Sequence, residues 1–137
     1  MSEENVELIR RITEAVDRGD LDGAVAIANP LPEFEFDPST WFPQADLVGV
    51  QRGPDGLRRV LEPFWSEFDD LHVELHEVID AGDQVFASAT VRGRGKHSGV
   101  ETSLGLWGVW TVREGRAVRW QGFTNRAAAL EAAGLRE

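Results

Sequence analysis

Three carboxylates, Glu33, Glu35 and Asp37, alternate with Phe34 and Phe36. In an extended chain this puts the acids on one side and the rings on the other. An acid pressed against aromatic surface loses hydration, which disfavours its charged form and moves its pKa toward the range of a general base. The same pattern arises when the acids simply face water while the rings pack inward. Glu35 and Asp37 are therefore the candidate catalytic residues, and the side of the strand they occupy decides between the two readings.

The other chemistry-bearing side chains offer less. His72 and His76 stand four apart, a spacing that would place both on one metal ion in a helix. Their segment reads as a strand, where four residues span about 13 Å, so they are expected on an exposed face with Leu71, Val73 and Leu75 opposite. His97 lies in a Lys-His-Ser-Gly turn with no nucleophile elbow or triad pattern around it. The chain has no cysteine, which removes disulfides, thiolate metal sites and cysteine nucleophiles. Phosphate-binding loops, zinc patterns and calcium loops are missing, and Gly93-Arg94-Gly95 leads from a strand into a turn and not into a helix. No cofactor or metal is expected.

These residues need elements to hold them. Val6, Ile9, Ile12, Thr13 and Val16 form one stripe of a helix over 5–18 that Gly19 stops. Asp20 caps a second helix, Leu21 to Ala28, ended by Asn29-Pro30. Residues 33–37 read as a short strand, expected at a sheet edge because Pro32 and Pro38 bracket it. Residues 39–53 are irregular and carry Trp41, Phe42 and Leu47, a segment able to fold over a pocket mouth. A third helix, 56–68, contains Pro63. From Leu71 the period becomes two and predicts strands over 71–80, 84–94, 100–113 and 116–123, joined by hairpin turns. Asn125 caps a last helix, 126–133. Helices followed by a four-strand meander make an α+β pattern, with the helices expected on one face of a strongly bent sheet, and such a sheet encloses a cavity.

The 137 residues fit one domain, 1–137. Acidic side chains outnumber basic ones 24 to 14, for a net charge of −10. Phosphate backbones and anionic membranes are thereby disfavoured as partners. The longest apolar run falls short of the ~20 residues that span a bilayer, and the acidic amino terminus lacks the features of a secretion signal; a cytoplasmic location is expected. Five tryptophans are present. Trp107 and Trp110 share a strand at odd separation and must face opposite sides of the sheet. Large side chains on both faces call for cover on the outer one, which predicts a homodimer through that face. The pocket is expected to be lined by Phe34, Phe36, Phe64, Trp65, Leu106, Trp110 and Phe123.

The run Ile9–Ile12, Gly19-Asp20-Leu21-Asp22-Gly23, Phe34-Glu35, Gly53-Pro54-Asp55-Gly56-Leu57, Leu71–Leu75, Asp80–Asp83, Val109–Val112 and Ala129–Leu135 resembles the SnoaL-like branch of the nuclear-transport-factor-2-like superfamily along nearly the whole chain. The resemblance implies an α+β cone, three helices cupped by a curved mixed sheet, dimerising through the sheet's outer face. Ketosteroid isomerases of that superfamily carry an aspartate base before a proline, which Asp37-Pro38 resembles at a spacing one residue too long. Their oxyanion-hole tyrosine would fall at Ile12 and their second aspartate near Gly108, which adds both positions to the expected pocket. Losing one such donor typically costs about two to three orders of magnitude in rate, so steroid-type isomerisation is not expected. Polyketide cyclases of the superfamily carry an aspartate after the last strand, where this chain has Asn125.

Three functions stand open on the sequence. One is a cofactor-independent isomerase, cyclase, lyase or hydrolase acting on a small hydrophobic compound, with Asp37 or Glu35 as base. The second is a non-catalytic dimeric protein that holds an apolar ligand. The third is a dimerisation scaffold whose cavity is filled by its own aromatics.

Overall fold

The computed structural model describes residues 2–38 and 49–135. Residues 39–48, the part of the irregular segment that holds Trp41, Phe42 and Leu47 and that could cover a pocket mouth or equally be a surface loop, lie outside the described residues, as does the Phe64 side chain. Helix α1 spans Ser2–Asp17 and α2 spans Leu21–Ala28. Between them Gly19 takes a left-handed φ of +76°. That conformation lets the Asp20 amide reach back to the Ala15 carbonyl at 2.9 Å and close the helix. The Asp20 carboxylate then accepts from the Gly23 amide at 2.9 Å and starts α2. Strands β1 (Glu35–Asp37) and β2 (Gln51–Arg52) precede α3 (Gly56–Ser66). The long strands are β3 (Phe68–Ala81), β4 (Gln84–Gly95), β5 (Glu101–Arg113) and β6 (Arg116–Phe123), and α4 covers Arg126–Ala132.

The strands form one six-stranded mixed sheet in the order β2-β1-β6-β5-β4-β3. The meander runs antiparallel, while β1 joins β6 in parallel. Here the sequence expectation fails: β1 is internal, because the two-residue β2 pairs along its other side and takes the edge. The prolines do not prevent this, since Pro32 precedes the strand and Pro38 follows it. The β5–β6 turn places both Glu114 (φ +53°) and Gly115 (φ +76°) in the left-handed region, the geometry of a two-residue hairpin whose twist matches its strands.

Alternation along β4 divides the core in two. Val85 packs with Ile9, Ile12 and Ala15 of α1, whereas its neighbour Phe86 packs with Ala129, Leu130 and Ala133 from the carboxyl end. Successive side chains point to opposite faces, so α1, α2 and α3 cover the concave face and α4 covers part of the convex one. The helices are not all on one side: the chain returns after β6 to shield Phe86 and Val109. Among the described residues no helix is long and apolar enough to cross a membrane.

Helix α4 is pinned by charge. Arg126 donates from Nε and Nη2 to the two carboxylate oxygens of Glu77, at 3.1 and 3.0 Å, with its guanidinium over the Phe86 ring. The hydrogen bond from Arg126 holds the Glu77 carboxyl below its ordinary value of 4.5, against an opposing push from burial. A carboxylate with a depressed folded pKa contributes stability that is full above the unfolded value and fades as pH falls through the folded one. Protection of the α4 amides from hydrogen exchange should therefore drop as the medium is acidified below pH 4.5, and Glu77→Gln should remove that dependence. Since both side chains are about two-fifths exposed, the effect should stay below about 1 kcal/mol.

Candidate functional site

The concave face is floored by small residues. On β5 Leu106, Gly108 and Trp110 point inward, and opposite them on β4 stand Ala89, Ala87 and Val85. Ala87, Ala89 and Gly108 leave space above the middle of the sheet, with Val73 and Leu75 of β3 bounding it on one side and Phe36 of β1 on the other. Helix α1 contributes Ile12, Thr13 and Val16, three positions that share a helical face. Leu57, Leu61 and Trp65, at successive steps of four on α3, close the roof. The result is a cavity of about 80 Å³, roughly half the ~150 Å³ of an apolar cavity that admits benzene. It has room for a few heavy atoms.

Trp120 completes the wall through an irregularity. From the two-residue turn, Arg113 pairs with Arg116 and Val112 with Ala117, but Thr111 then pairs with Arg119 and Trp110 with Trp120. Val118 is the extra residue. An unbroken register would set Trp120 opposite Val109 on the convex face; the bulge turns it inward. There it stacks on Phe36, with ring centroids 4.4 Å apart and planes 13° from parallel. A second bulge, at His76, does the same for β3: Glu77 pairs with Ser88 and Leu75 with Ala89, which brings Leu75 and Val73 to the concave side.

Ile12, Phe36, Trp65, Leu106, Gly108 and Trp110 line this cavity. Phe34 is fully buried in the same core but does not reach the cavity. Phe123, expected there, is instead on the convex face, opposite Trp107 and against α4. The Val118 bulge shifts the parity of β6, so Trp120 occupies the role that counting from the turn gives to its neighbours. Sequence reading missed Trp120 as well as the alanines of the floor, which carry no chemical signal.

Glu35 and Asp37 do not line the cavity. They alternate with Phe36 and lie on the convex side, in register with Arg119 and Gln121 of β6. Asp37 is only 7% exposed and stands 3.7 Å from Arg119 Nη2; Glu35 is 3.8 Å from Arg119 Nε and 3.1 Å from Arg52. Among the described residues Arg119 Nε is buried without a hydrogen bond, so Arg119 meets the two carboxylates through proximity of charge, while Arg52 Nη1 donates a hydrogen bond to Glu35 Oε2. Apart from the indole N–H groups, the polar side chain of the lining is Thr13, whose hydroxyl donates to the Ile9 carbonyl at 2.8 Å. No described lining residue is titratable.

The histidines are apart from the cavity. His72 is exposed, 3.3 Å from Asp17 Oδ1, and His76 is within 2.7 Å of the Thr90 hydroxyl; His97 is exposed in its turn. Among the described residues there is no cluster of three or more His, Asp or Glu side chains able to hold a metal.

Residues 9–120 match the family model described as the SnoaL-like domain. The chain belongs to the SnoaL-like family, within the nuclear-transport-factor-2-like superfamily. This SnoaL-like domain is also similar to solved structures. TerC, crystallised with polyporic acid, is 21% identical, with 96% of this chain and 98% of that one covered and a TM-score of 0.71. AclR of Streptomyces galilaeus is 20% identical, with 98% of each chain covered and a TM-score of 0.71. A protein of ketosteroid isomerase-like fold from Catenulispora acidiphila, in complex with trimethylamine, is 14% identical over 94% of this chain and 93% of that one, with a TM-score of 0.70. At these identities the likeness is one of fold. No protein of curated function matches the sequence.

Leu61 is buried on α3 and touches the cavity. Leu61→Ala should enlarge it and lower unfolding stability by about 2–5 kcal/mol, the usual range for such a truncation; chemical denaturation measures the loss and a crystal structure the added space.

Proposed function

We propose that this SnoaL-like domain binds a small, uncharged, apolar molecule in the cavity between its helices and its sheet. One observation carries the reading: every described residue around the cavity is aliphatic, aromatic or glycine except Thr13, whose proton is committed to the backbone. A charged ligand would lose its hydration there and meet no opposite charge, only ring faces and indole N–H groups, at a cost of several kcal/mol (on the order of the values for unpaired buried ions). Apolar surface gains roughly 25 cal/mol per Å² removed from water, so a neutral hydrocarbon-like molecule of a few carbons is favoured. The co-crystals of TerC with polyporic acid and of the Catenulispora protein with trimethylamine support small-molecule binding in this fold.

Cyclopentane, cyclopentylammonium and cyclopentanecarboxylate differ in charge far more than in shape. Titrated against the protein, cyclopentane should alter the fluorescence of Trp65, Trp110 and Trp120, with the same affinity at about pH 6 and about pH 8, while the two ions should leave it unchanged. Equal responses to all three, or none to cyclopentane, would overturn the reading.

Catalysis is the second reading, because Asp37 is more than nine-tenths buried, a depth that aspartate seldom reaches without a role. Pairing with Arg119 supplies a structural role; a cofactor-independent isomerase, cyclase, lyase or hydrolase would need Asp37 or Glu35 to act from the convex side of β1. Asp37→Asn separates the two. If its role is structural only, the variant should lose roughly 1–3 kcal/mol of stability, more than an exposed pair would because Asp37 is buried, and bind cyclopentane as before. Turnover of a neutral compound that Asp37→Asn abolishes, with folding intact, would establish the enzyme.

For assembly we propose a homodimer through the part of the convex face that α4 leaves uncovered, where Trp107 is only half-buried. Sedimentation at micromolar concentration should then give twice the chain mass.

A further inference from the structure

Resting on the ligand reading above, we propose that Gly108 is the residue that sets the upper size of the ligand, by leaving the gap that the Nε1 edge of the Trp120 indole fills. A Cβ at position 108 would stand 2.5 Å from Trp120 Nε1, 2.9 Å from Cε2 and 3.1 Å from Cζ2. The first two are closer than non-bonded atoms approach, so the indole is in contact with the bare backbone of β5. Gly108 lies outside the left-handed region that favours glycine, and the backbone there accepts any residue. What demands glycine is the ring above it.

Trp120 has few ways to yield. It is 5% exposed, and Phe36 stacks against it from β1, which closes the sideways route along the sheet. The sheet itself lies beneath. A methyl group at 108 therefore lifts the indole off the floor, into the space that Ala87, Ala89 and Gly108 leave open. In a cavity of about 80 Å³ a tilt of one ring removes most of the room.

Gly105 supplies an internal control. A Cβ there would stand 2.6 Å from Trp107 Cη2, the same kind of clash on the same strand. Position 105 pairs with Thr90 and shares the convex face with Trp107 and its partner Ser88, away from the cavity. Gly105→Ala thus disturbs a tryptophan without touching the ligand space.

The test uses xenon, which occupies apolar cavities whatever their natural ligand, together with cyclopentane. Crystals of the wild type, Gly105→Ala, Gly108→Ala and the double variant Gly108→Ala with Trp120→Phe would be pressurised with xenon, and cyclopentane affinity measured in solution. Xenon should sit beside Leu61, Trp110 and Trp120 in the wild type and in Gly105→Ala. It should be lost in Gly108→Ala, with cyclopentane affinity reduced at least tenfold, and both should return in the double variant, where the smaller ring clears the methyl. Wild-type xenon occupancy and cyclopentane affinity in Gly108→Ala would overturn the proposal. Should Gly108→Ala fail to fold, Trp120→Phe alone must still admit a larger ligand than the wild type, and failure to do so would overturn it equally. If the wild type takes up neither xenon nor cyclopentane, the ligand reading falls, while an unmoved Trp120 in the Gly108→Ala crystal would refute the filling of the Gly108 gap separately.

Discussion

A single added residue in β6, Val118, decides which side of the sheet carries the indole of Trp120. Strand side chains alternate strictly, so an offset of one moves everything beyond it to the other face. With the offset, Trp120 enters the concave core and Phe36 has a ring to stack on; β1, only three residues long, is held to β6 by that stack as well as by its parallel ladder. The same offset carries Arg119 to the convex side, where Glu35 and Asp37 meet it. The bulge at His76 acts in concert on β3, directing Val73 and Leu75 inward and Glu77 outward toward Arg126. Cavity wall, carboxylate cluster and helix anchor all follow from where two strands gain a residue.

This explains what could and could not be read from the chain. Helix ends set by local chemistry were legible: Gly19, Asp20 and Asn125 act where their types predict, and Asn125 Oδ1 accepts from the Ala128 amide at 2.8 Å; the start of α1 at Ser2 and the end of α3 at Ser66, with Phe68 already in β3, were not. Strand positions and the opposed facing of Trp107 and Trp110 followed from simple alternation. Register shifts leave no such trace. Counting from the Glu114-Gly115 turn sends Trp120 outward, and nothing in Ala117-Val118-Arg119 announces otherwise. The interior position of β1 was hidden too, since its partners are distant in sequence, and so was the convex seat of α4 with Phe123.

The arrangement separates charge from hydrocarbon with the thickness of one sheet. The ion pairs that join β1 to β6 are on the convex side, while the concave side keeps aromatic and aliphatic groups. Superfamily membership allows catalysis, but fold alone does not confer it; the residues facing the cavity determine what chemistry is available. Here the described ones can shape, exclude and orient a ligand, and they have no titratable proton to exchange with it.

The rims of the sheet have their own consequence. At one border lies β2, two residues long; at the other, β3 runs for fourteen. A strand of that length with a bare flank would invite other chains to add to it. Asp17 forestalls this by taking the Val73 amide at 2.8 Å, and the bulges at Asp70 and His76 break the flank into short pieces. The same irregularities that shape the interior thus deny the molecule a straight template for strand addition along that border.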